Sequence, residues 1–559
     1  MSLEEKSKCI GIWAPDRGLI DDHLNREFGA EACRRMEARR IEITRVEQLY
    51  EMVPSVRGAV CRLSHFPDDW PHSPELEELE IQACESTLVS FLGSLRGSMV
   101  PVLQRLKLFI TVGEVALERR WMCPALTEPF RELQILDVSG FELRGNTLME
   151  TLLPPLRDVS MPKLAQLSLK WNSVGDEGCV LLAQALSQRG FPSLTYLALV
   201  SNDIGVRGCQ SLAQSLQNGG CPSLMHLNLE ENSIGTDGCA ALAQALAKGA
   251  CPELRYLNLK DNSVNGGCAE LAQALGGGVC PQLAHLDLRE NRIPSESCVD
   301  LVWALDNGGG GRRLTYLALA GNEVGPQGCA ALARALQNGA CPILAHLHLD
   351  RSGISLQGFR ALAEALENGA CPELASLQLR CNRVGPEICA ELAQALHVRA
   401  SPRLTHLCLR MTRMGAVGCQ RLAEALLDGA CSGLIHLDLR NNEIGHQSCE
   451  YLAGALRGRG CQDLAHLLLG HNNMGAGGCN SLALAFLQGA CPNLVRLELT
   501  SNGIGNHECG ALVQVLRENH CPRLTRLELQ RNGMSNEVRR SLEHAVQQRA
   551  GPIVIALGL

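Results

Sequence analysis

The sequence predicts an α/β fold: a curved, horseshoe-like solenoid with parallel strands on its concave face and helices on its convex face. Three observations predict it. A unit returns at nearly constant intervals, its first leucine standing at Leu164, Leu194, Leu224, Leu254, Leu283, Leu314, Leu344, Leu374, Leu404, Leu434, Leu464, Leu494 and Leu524. Each copy opens on Leu-x-x-Leu-x-Leu, as in Leu254-Arg-Tyr-Leu257-Asn-Leu259. Each copy closes on a small-residue amphipathic stretch, as in Cys268 to Leu275. A fixed period of about thirty residues marks units that cannot bury a core alone and do so by stacking.

The opening segment is a strand. Leu257 and Leu259 turn to one face and the residues between them to the other, because side chains alternate along extended backbone. Asn262 ends the strand at a turn. Its carboxamide both donates and accepts, so it can satisfy backbone groups that the turn leaves open. The same part falls to Asn172, Asn202, Asn232, Asn291, Asn322, Asn382, Asn442, Asn472, Asn502 and Asn532. Ser352 and Thr412 replace it in two copies, where a weaker ladder is expected.

The closing segment is a helix. In Cys239-Ala-Ala-Leu242-Ala243-Gln-Ala-Leu246 the buried set falls at i, i+3, i+4 and i+7, which is one helical face. Pro326 and Pro386 stand in the first turn, where the missing N–H costs nothing, and Gly249 and Pro252 supply a stop. Strands pack about 4.8 Å apart and helices roughly 8–10 Å apart, so a stack of such units must bend with its strands inside.

Of the 27 cysteines, 20 fall in two rows, one at the helix start (Cys179, Cys209, Cys239 and their equivalents) and one before the strand (Cys221, Cys251, Cys280 and theirs). Neighbouring members of the first row sit at helix spacing, beyond the Cα separation of about 7 Å that a disulfide tolerates. Members of one repeat are held about 18 Å apart by a twelve-residue helix. The expectation is reduced thiols used as small apolar groups, in a reducing compartment.

Three regions follow along the chain. Residues 164–559 carry the regular repeat. Residues 76–163 hold divergent copies, Leu76-Glu-Glu-Leu79-Glu-Ile81, Leu103-Gln-Arg-Leu106-Lys-Leu108 and Leu133-Gln-Ile-Leu136-Asp-Val138. Residues 1–75, with Trp13, Trp70 and an expected helix near Asp22–Arg39, read as an irregular N-terminal cap. The spacing from Asn262 to Asn291 is one residue short and that from Asn291 to Asn322 one long, and the glycine run after Asn307 reads as a tolerated loop insertion. Ile553–Leu559 falls in register with the strands, and an uncovered terminal strand is an edge that invites pairing.

The unit Leu-x-x-Leu-x-Leu-x-x-Asn-x-Ile/Val-Gly, followed by Cys-x-x-Leu-Ala-x-Ala-Leu, resembles the leucine-rich repeats of the ribonuclease-inhibitor class. That class is similar to the sensor tails of NOD-like receptors and to the body of the Ran GTPase-activating protein. The resemblance implies a protein-binding solenoid. It does not carry ribonuclease binding with it, because an inhibitor of that class grips a basic ligand and this concave face mixes both signs. It implies, as an alternative, a GTPase activator of the Ran type, although the acidic tail of that family has no counterpart here. A structural subunit of a large assembly is the third expectation.

Three columns of side chains should face the concave side. The first reads Gln166, Tyr196, His226, Tyr256, His285, Tyr316, His346, Ser376, His406, His436, His466, Arg496 and Arg526. The second includes Asn228, Asn258, Asp287, His348, Gln378, Asp438, Glu498 and Glu528; the third includes Lys170, Glu230, Lys260, Arg289, Asp350, Arg380, Arg410 and Arg440. Tyrosine and arginine are the residues that anchor protein interfaces, which makes Tyr196, Tyr256 and Tyr316 expected anchors. Arg380, Arg410 and Arg440 lie on consecutive strands, where like charges repel unless something neutralises them. An acidic partner surface or tail, docking on repeats near 346–471, is the sharpest expectation. His406, His436 and His466 are poor candidates for a zinc site, since parallel side chains on a ladder do not converge tetrahedrally.

Other functions find little support. The net charge of −8 argues against nucleic-acid or anionic-membrane binding, which needs a basic face. No apolar run is long enough to span a membrane, and the first residues lack the pattern of a signal peptide, so a cytoplasmic or nuclear address is expected. Neither a Gly-x-x-x-x-Gly-Lys-Ser/Thr phosphate loop nor a His-Glu-x-x-His, Cys-x-x-Cys or Gly-x-Ser-x-Gly motif occurs. The expectation is a non-catalytic scaffold with no cofactor.

Overall fold

The structure, a computed structural model, describes residues 40–43, 58–61, 73, 75–83, 99–110, 131–140, 161–188, 191–307, 310–382, 385–397, 402–458, 461–506, 509–549 and 552–557. The expected cap features at Trp13, Trp70 and Asp22–Arg39, and the glycines at 308 and 309, lie outside them. The chain divides into two compact units, one of residues 1–173 with 188–194 and one of 174–187 with 195–559.

Among the described residues of the first unit six parallel strands pair in chain order: β1 (Arg40–Ile43), β2 (Gly58–Cys61), β3 (Glu78–Ala83), β4 (Arg105–Ile110), β5 (Ile135–Ser139) and β6 (Gln166–Ser168). The three divergent copies become β3, β4 and β5. Leu76, Leu79, Ile81, Leu103, Leu106, Leu133, Leu136 and Val138 are all fully buried. Strand pairing starts earlier than the leucine pattern shows. The segments Arg-Ile-Glu-Ile and Gly-Ala-Val-Cys form β1 and β2 inside the region expected to be irregular, because a short alternating run pleats without the leucine signature.

The second unit repeats one device. Its strands are β7 (Tyr196–Ala198), β8 (His226–Asn228), β9 (Tyr256–Asn258), β10 (His285–Asp287), β11 (Tyr316–Ala318), β12 (His346–His348), β13 (Ser376–Gln378), β14 (His406–Cys408), β15 (His436–Asp438), β16 (His466–Leu468), β17 (Arg496–Glu498), β18 (Arg526–Glu528) and β19 (Val554–Ala556). They pair in parallel, each with the next, so that equivalent residues stand side by side: Tyr196 beside His226, His226 beside Tyr256, and so on to Arg526 beside Val554. Helices alternate with the strands, from Gly175–Ser187 to Asn536–Gln547, and each packs on its neighbours in sequence. This is the open parallel strand-and-helix solenoid that the repeat predicts.

Three contacts hold one repeat on the next. The leucines of the strand, such as Leu254, Leu257 and Leu259, are completely buried, and burying each is worth roughly 2 kcal/mol. The asparagine ladder closes the turns. Asn291 donates from Nδ2 to the carbonyls of Leu259 at 2.7 Å and Leu288 at 3.0 Å, and its Oδ1 accepts from the backbone N–H of Asn262 at 2.9 Å. Ser352 reaches Leu319 O only at 3.4 Å, so the ladder is thinner there. Residues on either side of the asparagine adopt left-handed backbone, as Asp261 (φ 54°) and Ser263 (φ 53°) do around Asn262, which reverses the chain from strand to helix.

The helices touch along a seam of glycine and cysteine. The thiols of Cys179, Cys209, Cys239 and Cys329 donate to the carbonyls of Gly208, Gly238, Gly267 and Gly358 at 3.2–3.3 Å. A Cβ added at Gly358 would stand 2.8 Å from Cys329 Cβ, so glycine sets the helix spacing. The described cysteines are thiols rather than disulfides, and all but Cys381 are buried. Burial pushes the Cys209 and Cys329 thiols up to about 12, which keeps them protonated.

Candidate functional site

Along strands β7 to β18 the leucine between the two outward columns is fully buried beneath the sheet, and the residue before it lies on the other side. Tyr196, His226, His285, Tyr316, His346, His406, His436, His466 and Arg496 are half-buried, and Arg526 is exposed. Tyr256 is the most enclosed of the aromatic column, 8 % exposed. The second column is also covered: Asn258 and Asp287 are each 1 % exposed and Asp438 is 3 % exposed. Long side chains of the first and third columns close over it from both flanks.

The first column forms a stack. Ring centroids of Tyr196 and His226 lie 4.2 Å apart, His226 and Tyr256 3.8 Å, Tyr256 and His285 4.1 Å, and His285 and Tyr316 3.9 Å, with interplanar angles of 21°, 10°, 17° and 9°. Parallel strands place successive Cα atoms about 4.8 Å apart, which is within reach of offset ring stacking. The series breaks at Tyr316. His346 tilts by 41° with its centroid 5.8 Å away, and the Tyr316 hydroxyl meets His348 Nδ1 at 3.3 Å. Ser376 then leaves a gap, and a looser series of His406, His436 and His466 follows at 5.7 and 5.5 Å. The π-faces are thus used inside the stack, where the Nε2 atoms of His226 and His285 are buried as well.

The third column sorts its cations into two groups. Lys260 reaches Glu230 at 2.6 Å. Arg289 clamps Asp287, Nη2 to Oδ2 at 2.6 Å and Nε to both oxygens. Arg440 clamps Asp438 through Nε at 2.9 Å and Nη2 at 2.6 Å, and extends Nη1 to Glu498 at 3.1 Å. In the first column Arg496 and Arg526 both donate to Glu528, at 2.9 and 2.7 Å. Burial opposes the charge of Asp438, but Arg440 holds its carboxyl below the usual carboxylate range.

Arg380 and Arg410 have no such clamp. Their buried Nε atoms bond to nothing, and neither guanidinium makes an ion pair among the described residues. They occupy adjacent rungs, since the N–H of Cys381 donates to the carbonyl of Arg410 at 2.8 Å. Asp350 bonds the backbone N–H of Arg380 at 2.6 Å. Burial lowers the pKa of Arg410, the charges of Arg440 and Arg380 lower it further, and the charge of Asp438 opposes them. Of the three arginines expected to act together, two remain uncompensated and Arg440 is already neutralised.

Burial also holds His436 down at about 4, with His406, His466 and Arg440 adding to the effect and Asp438 opposing it. His406 and His466 shift in the same direction, burial first. Asp350 moves up to about 6, chiefly through burial, with the backbone N–H of Arg380 opposing. No group of three or more His, Cys, Asp or Glu side chains is placed to hold a metal ion among the described residues.

Sequence reasoning missed the stack, whose only signal was the alternation of tyrosine and histidine at one column. It also missed which arginines are paired. The signal was present there too: Asp287 and Asp438 stand two residues before Arg289 and Arg440, whereas Gln378 and Cys408 stand before Arg380 and Arg410.

A sequence model described as "Leucine Rich repeat" matches residues 160–183, 192–213, 220–243, 312–333 and 490–506. No curated protein matches the chain. Among solved structures, a Leptospira interrogans LRR protein is 17 % identical, with 91 % of this chain and 99 % of that one covered and a TM-score of 0.40. An internalin from Listeria monocytogenes is 17 % identical over 74 % of this chain and 92 % of its own, at a TM-score of 0.36. A TDR receptor is 15 % identical over 85 % and 80 %, also at 0.36. Each matched segment contains a Leu-x-x-Leu-x-Leu strand whose leucines are buried and whose partner strands lie in register, and the chain carries leucine-rich repeats there.

Proposed function

We propose that this chain is a non-catalytic recognition subunit of the ribonuclease-inhibitor-like class that binds a partner protein on the concave face of its second unit. The observation that carries the reading is the stacked column from Tyr196 to Tyr316. It sets a row of stacked aromatic rings along an open sheet, and such rings give contact area at little cost in side-chain freedom. The face contains no enclosed catalytic constellation among the described residues, and its carboxylates are engaged by arginine, lysine or backbone. The uncompensated Arg380 and Arg410 favour a partner with an acidic surface, and His406, His436 and His466 flank them. Leucine-rich-repeat proteins bind protein partners as a rule, which supports the scaffold reading over a catalytic one. No described helix is long and apolar enough to cross a membrane. Buried, protonated thiols suit a cytoplasmic or nuclear setting.

The test is affinity capture with the full chain, comparing wild type with Tyr196→Ala/Tyr316→Ala on the concave face and Trp303→Ala on an outer helix, where Trp303 is 66 % exposed. A protein retained by wild type and Trp303→Ala but lost by the tyrosine variant fits the reading. Equal retention by all three contradicts it.

A further inference from the structure

Two cations held side by side without an ion pair among the described residues need an explanation. On this face the other arginines within reach of a carboxylate are clamped by it, at 2.6–3.1 Å for Arg289, Arg440, Arg496 and Arg526. Arg380 and Arg410 instead stand on adjacent rungs with their Nε atoms buried and unbonded. Their flanking second-column residues, Gln378 and Cys408, carry no charge at neutral pH. Asp350, the nearest carboxylate in the same column, is turned to the backbone of Arg380 rather than to either guanidinium. Desolvated like charges on neighbouring strands are unfavourable, and an anion bridging them removes the penalty.

We propose that Arg380 and Arg410 form the recognition site for a phosphorylated serine or threonine side chain of the partner protein. The inference rests on the concave-face reading and names what one part of that face recognises. Charge and shape select the ligand. A single carboxylate carries one negative charge and leaves one guanidinium unanswered. A phosphomonoester carries close to two at neutral pH and offers three acceptor oxygens, and each guanidinium presents donors in a planar fork suited to them. Adjacent rungs about 4.8 Å apart allow one tetrahedral group to meet both forks. An extended peptide crossing the rungs would bring the neighbouring residues of the partner onto the first column, which accounts for a protein rather than a free ion as the source.

The experiment is 31P NMR line broadening of O-phosphoserine by the full chain, with inorganic phosphate and glutamate as parallel probes. The expected result is broadening by wild type that Arg380→Gln/Arg410→Gln abolishes and that each single substitution reduces severalfold. Arg360→Gln, a change on an outer helix, should leave it intact, and glutamate at equal concentration should not displace phosphoserine. A second readout guards against a misfolded variant: phosphate should raise the Tm of wild type above that in chloride at matched ionic strength, and should not do so for folded single variants. Broadening that survives the double substitution, displacement by glutamate at parity, binding of inorganic phosphate but not phosphoserine, or no broadening by wild type overturns the phosphoryl site. None of those results affects the tyrosine-dependent capture above, so the two readings fail separately.

Discussion

The ring of His226 lies 3.8 Å from that of Tyr256, at an interplanar angle of 10°. Tyr256 is stacked on its other face by His285 at 4.1 Å, so one tyrosine is held by two histidines across three strands. Tyr316 has one close stacking neighbour, His285, and a tilted one. Tyr256→Ala should therefore cost more than Tyr316→Ala, about 3 kcal/mol against about 1–2 kcal/mol, combining lost burial with lost ring contact. Urea unfolding of the two variants checks the order; an equal or reversed cost would show that the stack adds nothing beyond burial.

Acid should weaken the second unit through its histidines. His436 sits at about 4 in the folded chain, against about 6.5 for an unfolded histidine. Between those values the unfolded state binds more protons than the folded one, so stability rises with pH across the window and is lost as pH falls from about 6.5 to 4. His406 and His466 act in the same direction. Asp350, raised to about 6, acts in the opposite direction, because its folded form holds the proton that the unfolded form releases. Thermal melts from pH 7 to 4.5 should show a falling Tm for wild type and a shallower fall for His436→Gln. An identical slope in both would remove His436 from the account.

The asparagine ladder offers a gain as well as a loss. Asn472 donates to Leu439 O at 2.8 Å and Leu469 O at 3.0 Å and accepts from the N–H of Asn442 at 2.7 Å. Asn472→Ala strands these buried groups and should cost about 2–4 kcal/mol. Ser352→Asn should restore what its repeat lacks and add about 1 kcal/mol. Chemical denaturation measures both. A destabilising Ser352→Asn would mean that the neighbouring turns have adapted to serine.

Gly358 faces Cys329 across the helix seam, with space for hydrogen only. Gly358→Ala should cost about 1–3 kcal/mol through overpacking, despite the better helix propensity of alanine. Gly510, where an added Cβ meets nothing within 4 Å, should gain from the same change. Equal effects at the two positions would reduce the seam to an accident of composition.

The regular fold was legible because every unit repeats the same local logic. Leucines at period two set the strand, a helical face follows, and an asparagine stands where the backbone needs a two-way hydrogen-bonding partner. β1 and β2 were not legible, since four residues such as Arg40–Ile43 carry no distinctive pattern. Of the candidate face, the membership of each column could be read from register alone. The state of each charge could not, because it depends on which side chain bends to which neighbour. Arg440 looked like Arg410 in the column and differs from it only through Asp438, two residues earlier on its own strand, and Glu498, two strands away. Glycine precedes several helix cysteines, as Gly208 precedes Cys209, and its reason, contact with the cysteine of the preceding helix, belongs to the stacked arrangement.

The central claim is that a partner protein docks on the concave columns through uncompensated positive charge beside the ring stack. The most direct measurement is the affinity of the protein captured by wild type for Arg380→Glu/Arg410→Glu, taken at two salt concentrations. The account predicts a loss on the order of a hundredfold or more, since buried interfacial charge changes commonly cost 2–5 kcal/mol, together with a weaker salt dependence of whatever binding remains. Unchanged affinity and unchanged salt dependence would contradict it.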